Sequence, residues 1–198
     1  MKQIINAVFS FQIEKLIFIV MCRHNLGVVH SGINNEYSDV TCSMGASTKA
    51  AGRPTMCFNG HKNYVFGWYK DKQIVVQPSI TGPVAIKLYG FVDYQNANGY
   101  VLIIVGQLYI QFNLAEKFNS QTRKYPNNVT IVKSTGIGKT SNLMRALSPK
   151  QSAVIDNYSI DVCALVTSRT PKYMLVSVRL KTQHSACPSG ATSAPARK

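Results

Sequence analysis

Two histidines in the first part of this 198-residue chain have the spacing of zinc ligands. His24 and His30 lie in the pattern H-x-x-G-x-x-H, with Gly27 between them. Imidazole is a common metal ligand, and a glycine can end a helix in a left-handed conformation that a Cβ atom would penalise. The chain can then double back and bring the second histidine to the metal. We therefore expect His24 and His30 to lie close together as half of a zinc site.

The positions before His24 lack the other half. The longer motif of metzincin-type peptidases is H-E-x-x-H-x-x-G-x-x-H, in which three histidines bind zinc. The glutamate beside the first histidine activates the zinc-bound water. Counting back from His24, Val20 stands at the position of the first histidine and Met21 at that of the glutamate. The chain therefore has two expected ligands and no catalytic base, and two unrelated surface histidines are the alternative interpretation.

Later segments match one peptidase family in the same order. After the histidines come Ser43-Met44-Gly45, then C-F-N at 57–59 and G-W-Y at 67–69, with Lys62 between these two strings. Several motifs in one order are more specific than any of them alone. This run resembles the gametolysin family of zinc metalloendopeptidases, a metzincin group, and the resemblance covers roughly residues 22 to 180.

The resemblance implies a zinc metalloendopeptidase that acts on a protein or glycoprotein substrate, with Met44 in the Met-turn beneath the metal. Because of Val20 and Met21, we expect zinc binding to be weak and peptidase activity to be absent in this chain. Loss of a general base alone lowers a rate by about 10²–10⁴-fold. The alternative is a non-catalytic, β-rich module that binds extracellular matrix or cell wall.

The residues before Cys22 do not match the family motif. The runs Ile4–Phe11 and Leu16–Met21 are mostly apolar, but two charged residues divide them and neither run is long enough to span a membrane. No small-residue cleavage site follows the first run, so we find no convincing signal peptide. The family resemblance still implies an extracellular protein. Because the family has a catalytic half before its zinc helix, we expect residues 1–72 to be a truncated, metzincin-like catalytic region.

Hydrophobic patterning predicts helices first and strands afterwards. Residues 13–26 and 56–66 are predicted to be helical. From residue 73 onward, short apolar or alternating runs rich in Val, Ile and Tyr are mostly separated by Gly, Pro and Asn. Seven runs predict strands: Ile74–Val76, Val84–Tyr94, Tyr100–Val105, Leu108–Phe112, Val129–Lys133, Ile160–Thr167 and Tyr173–Leu180.

These patterns predict an α+β protein. The resemblance implies a remnant of a metzincin catalytic domain, with its zinc helix, Met-turn and closing helix. The patterning predicts that an all-β, sandwich-like domain with antiparallel strands follows at 73–181. Residues 182–198 are rich in Ser, Ala and Pro, and we expect a disordered tail there.

The net charge of the chain is +14, from 22 basic and 8 acidic residues. Such a charge attracts polyanions, so an acidic polysaccharide is a candidate partner through the basic surface. The basic residues are scattered and no nucleic-acid motif accompanies them, so nucleic acid is not an expected partner. His61 and His184 are expected to be surface residues rather than metal ligands.

The five cysteines of the chain leave the disulfide pattern open. Cys42 and Cys57 flank the expected Met-turn and could pair. Cys163 and Cys187 could pair across the last strands, which would leave Cys22 over.

Overall fold

A computed structural model gives the fold and describes residues 27–188, apart from 34, 46–56 and 123. The predicted helix at 13–26 lies outside the described residues, and so do Val20, Met21 and His24. Ten strands in the described part form two sheets, and the helices between strands are short. The protein is therefore mostly β, as the apolar alternation predicts.

The larger sheet contains β1 (Ser31–Gly32), β2 (Gln73–Val75), β4 (Leu102–Val105), β5 (Leu108–Asn113), β6 (Asn128–Lys133) and β7 (Ser141–Leu147). Their order across the sheet is β1-β7-β6-β5-β4-β2. The four central strands, β4 to β7, pair antiparallel with one another. The two edge strands pair parallel, β1 with β7 and β2 with β4. A tight turn joins β4 to β5, and Gly106 provides the left-handed φ of 57° that such turns require.

The smaller sheet contains β3 (Val84–Tyr89), β8 (Ser152–Ile155), β9 (Tyr158–Val166) and β10 (Tyr173–Leu180). Their order is β3-β10-β9-β8, and every pairing is antiparallel. The turn between β8 and β9 contains Asp156 at a φ of 54°, a conformation that Asp and Asn tolerate better than most residues.

One hydrophobic core joins the two sheets. Ile103, Ile110 and Ile131 of the larger sheet belong to the same buried cluster as Ile160 and Val176 of the smaller one. Burying each such side chain contributes roughly 1.5–3 kcal/mol, so this shared layer is a main source of stability. The sheets therefore pack face to face as a sandwich.

The opposite face of the larger sheet is covered by the N-terminal part of the described chain. Helix α1 (Gly60–Val65) lies on β5 and β6 of this sheet. A second short helix, α2 (Pro78–Thr81), instead contacts β10 of the smaller sheet. A Cβ atom at Gly60 would lie 3.0 Å from a methyl group of Leu102 and 3.3 Å from Tyr109, so glycine allows α1 to approach the sheet closely. No helix in the described part is long and apolar enough to cross a membrane.

The structure differs from the predicted elements in three ways. The predicted strand Val84–Tyr94 ends at Tyr89, and a 3-10 helix follows at Phe91–Asn96. β1, β7 and β8 were not predicted, because their polar and small residues weaken the apolar pattern. The predicted antiparallel arrangement is wrong for the pair β2 and β4, because the intervening β3 joins the other sheet and the chain crosses over before pairing. The division of the chain at residue 73 stays a prediction.

One predicted disulfide is present in the described structure and the other is not. Cys163 of β9 and Cys187 form a disulfide with a Cα–Cα distance of 5.4 Å. Cys42, in contrast, has a buried free thiol whose sulfur accepts a hydrogen bond from the Asn59 N–H at 3.4 Å. The proposed Cys42–Cys57 disulfide is therefore not formed in the described structure, because the Cys42 sulfur is turned toward Asn59.

The disulfide should stabilise the sandwich by reducing the conformational entropy of the unfolded chain. The cysteines are 24 residues apart, and closing a loop of this length is worth about 3 kcal/mol. We expect the double variant Cys163→Ala/Cys187→Ala to lose about that much free energy of unfolding in urea titrations. Wild-type protein under reducing conditions should show the same loss, and an unchanged midpoint in both samples would contradict the prediction.

Candidate metal centre

Of the two predicted zinc ligands, His30 lies in the described residues and His24 lies outside them. Gly27 adopts a left-handed φ of 74°, as expected for the glycine of the motif. His30 directly precedes β1, and its carbonyl accepts a hydrogen bond from the Ser141 N–H at 3.2 Å. The backbone of His30 is thus attached to the edge of the larger sheet.

The His30 ring is held by two neighbours from the following loop. Nδ1 lies 2.5 Å from Oε1 of Glu36, and the ring centroid of Tyr37 is 4.0 Å away. Because a carboxylate only accepts hydrogen bonds, this contact places the proton on Nδ1. Carboxylates commonly orient metal-binding histidines in this way, and a metal would have to bind His30 through Nε2.

Met44 lies in a tight turn close to the strand that follows His30. The Gly45 N–H donates to the Cys42 carbonyl at 2.9 Å, and the Met44 carbonyl accepts from the Ser31 N–H at 3.1 Å. The Met44 side chain is buried in a small apolar cluster with Val28 and Cys42. A Cβ atom at Gly45 would lie 1.8 Å from the Asp39 carbonyl oxygen, so only glycine allows the turn to approach so closely.

A buried carboxylate connects the segments around this turn. Asp39 accepts hydrogen bonds from the Ser31 hydroxyl, the Asn59 amide, and the backbone N–H and hydroxyl of Thr41, at 2.6–3.2 Å. The Asn59 amide also lies 3.0 Å from the Ser141 hydroxyl on β7. Both oxygens of Asp39 are therefore engaged, and this carboxylate is not available to replace a missing zinc ligand.

His61 and Lys62 are buried at the start of α1, with exposed fractions of 1% and 0%. His61 Nε2 lies 3.1 Å from the Gly136 carbonyl, so it carries the proton, and Nδ1 faces the Lys62 ammonium at 3.4 Å. Lys62 also donates to the Lys139 carbonyl at 3.3 Å. The expectation that His61 is a surface residue is wrong, because these partners hold its ring between the helix axis of α1 and the loop after β6. His184 is exposed.

Burial sets the protonation of this pair. It lowers the pKa of His61 to about 4, with a second contribution from the Lys62 charge, and it lowers the pKa of Lys62 to about 8. At neutral pH the imidazole is thus neutral and uses both ring nitrogens for hydrogen bonds. His61 is consequently a structural residue rather than a substitute metal ligand.

The described residues do not by themselves fit a zinc ion. Within them, no group of three or more His, Cys, Asp or Glu side chains lies close enough to share a metal. His30 is the described residue that the zinc motif predicts as a ligand, and the carboxylates of its loop are engaged as described above. The sequence prediction also missed the roles of Asp39 and Lys62. The pattern N-x-x-K at 59–62 was visible as part of the resemblance, but its burial was not.

Asp39 should be essential for the stability of this region. Asp39→Ala would leave the donors of Ser31, Thr41 and Asn59 unpaired in the interior, and we expect a loss of roughly 3 kcal/mol in the free energy of unfolding. Asp156→Asn removes an exposed carboxylate paired with Lys133 and should cost less than about 1 kcal/mol. Equal losses in urea unfolding of the two variants would contradict this assignment.

His61 should make the protein sensitive to acid. Its pKa is lowered on folding, so its contribution to stability is complete above pH 6.5 and is lost as the pH falls toward 4. Over this window, wild type should lose about 3 kcal/mol more than His61→Gln. The exposed His184→Gln variant should follow wild type. Parallel pH profiles of wild type and His61→Gln would rule out this role.

Comparison with known proteins supplies the family. The family model described as gametolysin peptidase M11 matches residues 2–106, which is more than half of the chain. No curated protein and no solved structure matches the chain. The match begins at residue 2, so the expectation that the resemblance starts near Cys22 is wrong. It stops at residue 106, within the sandwich, whereas the predicted resemblance continued to about residue 180. The chain belongs to the gametolysin family of metallopeptidases.

Proposed function

We propose that this chain is a gametolysin-family protein without zinc-dependent peptidase activity. The observation that carries the proposal is the pair Val20 and Met21 at the positions of the first zinc ligand and the general base. A valine and a thioether offer neither an imidazole nor a carboxylate at these two positions of the motif. Family membership makes a protein or glycoprotein the class of partner to expect.

The missing histidine and the missing glutamate have different roles, one in metal binding and the other in proton transfer. A catalytic zinc site uses three protein ligands and one open position for water, so losing one ligand weakens metal binding strongly. Losing the glutamate removes the acceptor for the water proton. Neither Glu36 nor Asp39 supports a replacement, because Glu36 contacts His30 Nδ1 and Asp39 receives hydrogen bonds on both oxygens.

The scaffold of the centre supports descent from an active peptidase. The Met44 turn lies next to the strand that follows His30, in the order that the Met-turn of a metzincin would require. We interpret the described residues between 27 and 66 as part of a metzincin catalytic region that has lost its chemistry. An extracellular location follows from the family, and the Cys163–Cys187 disulfide is typical of proteins that fold in oxidising compartments.

A non-catalytic binding module of the extracellular matrix or cell wall is the second candidate. The net charge of +14 favours it, since such a charge concentrates acidic polysaccharides near the protein surface. Binding of this kind should weaken as salt is added, because the Debye length falls from about 10 Å at 0.1 M to about 3 Å at 1 M.

Peptidase activity should be absent in the purified chain. With added zinc, the protein should leave gelatin and casein uncut, because the water-activating carboxylate is missing. Chelator-sensitive cleavage that disappears in His24→Ala would overturn the proposal. In the double variant Val20→His/Met21→Glu, zinc affinity measured by calorimetry should rise by at least about 10-fold, which tests the positions independently of activity.

A further inference from the structure

A cleft of about 390 Å³ opens beside the 3-10 helix Phe91–Asn96. Its other walls are Tyr69 and the pair Lys117 and Phe118. The volume lies within the usual range for small-ligand sites, about 300–1,000 Å³. No residue of the candidate metal centre lines the cleft, so it is a separate feature of the molecule.

Aromatic rings form two sides of the cleft. Phe118 is 47% exposed, and the buried Phe91 supports it with a ring-centroid distance of 5.9 Å. Tyr69 and Tyr94 form a second pair with centroids 4.9 Å apart. Burial raises the pKa of Tyr69, so its phenol stays neutral. The cleft therefore presents a supported, solvent-facing ring together with a second aromatic pair.

Polar groups of both kinds accompany these rings. Asp93 is largely buried, and its Oδ1 accepts from Lys117 Nζ at 2.5 Å. Its second oxygen has no hydrogen-bond partner among the described residues. Gln95 and Asn96 add exposed side-chain amides, each of which can donate and accept. A ligand in the cleft would thus meet acceptors and donors beside an apolar face.

Three hydrogen bonds hold the wall of the cleft in place. Lys72 Nζ donates to the carbonyls of Tyr94 and Ala97, both at 2.7 Å, which fixes the end of the 3-10 helix. The Tyr94 hydroxyl donates to Asp71 at 2.5 Å. A preformed site avoids part of the entropic cost of ordering side chains on binding.

We propose that this cleft binds a neutral saccharide built of hexopyranose units. A sugar ring has an apolar C–H face that can pack on Phe118 and hydroxyls at its edge that can donate to Asp93 and accept from Lys117 or the amides. An acidic ligand would meet the Asp93 carboxylate. The cleft also lacks an open strand edge of the kind that extended peptides use, because one wall is a 3-10 helix and Lys72 occupies the carbonyls of Tyr94 and Ala97 near its end.

This inference goes beyond the proposed function and holds whether or not the chain cleaves peptides. The test is titration of the ¹⁵N-labelled full chain, without zinc, with neutral trisaccharides of glucose, galactose, mannose and N-acetylglucosamine. With at least one of them, the amide signals of residues 91–96 and 117–118 should shift in a saturable way. Because no metal is present, the result is independent of peptidase activity.

Substitutions inside and outside the cleft test where the saccharide binds. Phe118→Ala and Asp93→Asn should each weaken the affinity by about tenfold or more, since one loses the stacking ring and the other the charged acceptor. Trp68→Ala removes an aromatic ring that is 45% exposed outside the cleft, and it should bind like wild type. Well-dispersed spectra of the free variants check that they fold.

Three outcomes would overturn the proposal. One is the absence of shifts with all four trisaccharides at about 10 mM, a concentration that would reveal even millimolar affinity. Another is an equal loss of binding in Trp68→Ala. The third is a gelatin-derived peptide or a sulfated oligosaccharide that shifts the same amide signals at lower concentration than any neutral sugar.

Discussion

The buried carboxylate of Asp39 holds together one face of this molecule. A charge in the interior is costly unless hydrogen bonds compensate it, and Asp39 receives them from Ser31, Thr41 and Asn59. Asn59 also caps α1, by accepting from the Lys62 N–H, and contacts Ser141 of β7. The strand after His30, the Met44 turn, the helix and the sheet edge are consequently connected through one group.

The same connection positions the described residues of the candidate metal centre. The backbone of His30 and the turn at Met44 are positioned by hydrogen bonds that do not involve a metal. The described part of the candidate metal centre is therefore held by hydrogen bonds of the backbone and of Asp39. His61 is also held by hydrogen bonds: its Nε2 donates to the Gly136 carbonyl in the loop after β6, and its Nδ1 faces the ammonium of the neighbouring Lys62.

The sandwich provides a second surface, which is separate from the candidate metal centre. β3 ends at Tyr89, and the chain continues as the 3-10 helix that forms one wall of the aromatic cleft. A Cβ atom at Gly90 would lie 2.6–2.8 Å from Leu114, so glycine permits the close approach at this transition. Binding residues often lie on such connections because the sheets beneath them fix their positions.

The sequence by itself determined the family and most strands, whereas the tertiary structure decided which polar residues are buried and how the sheets are connected. The order of the motifs from His24 to Tyr69 identifies the family, and runs such as Leu108–Phe112 are strands because their β-branched and aromatic residues suit a sheet. No local pattern predicted that Lys62 is buried, because its partner, the Lys139 carbonyl, lies 77 positions away. Burial and parallel pairing depend on contacts between distant segments, and local sequence patterns do not contain that information.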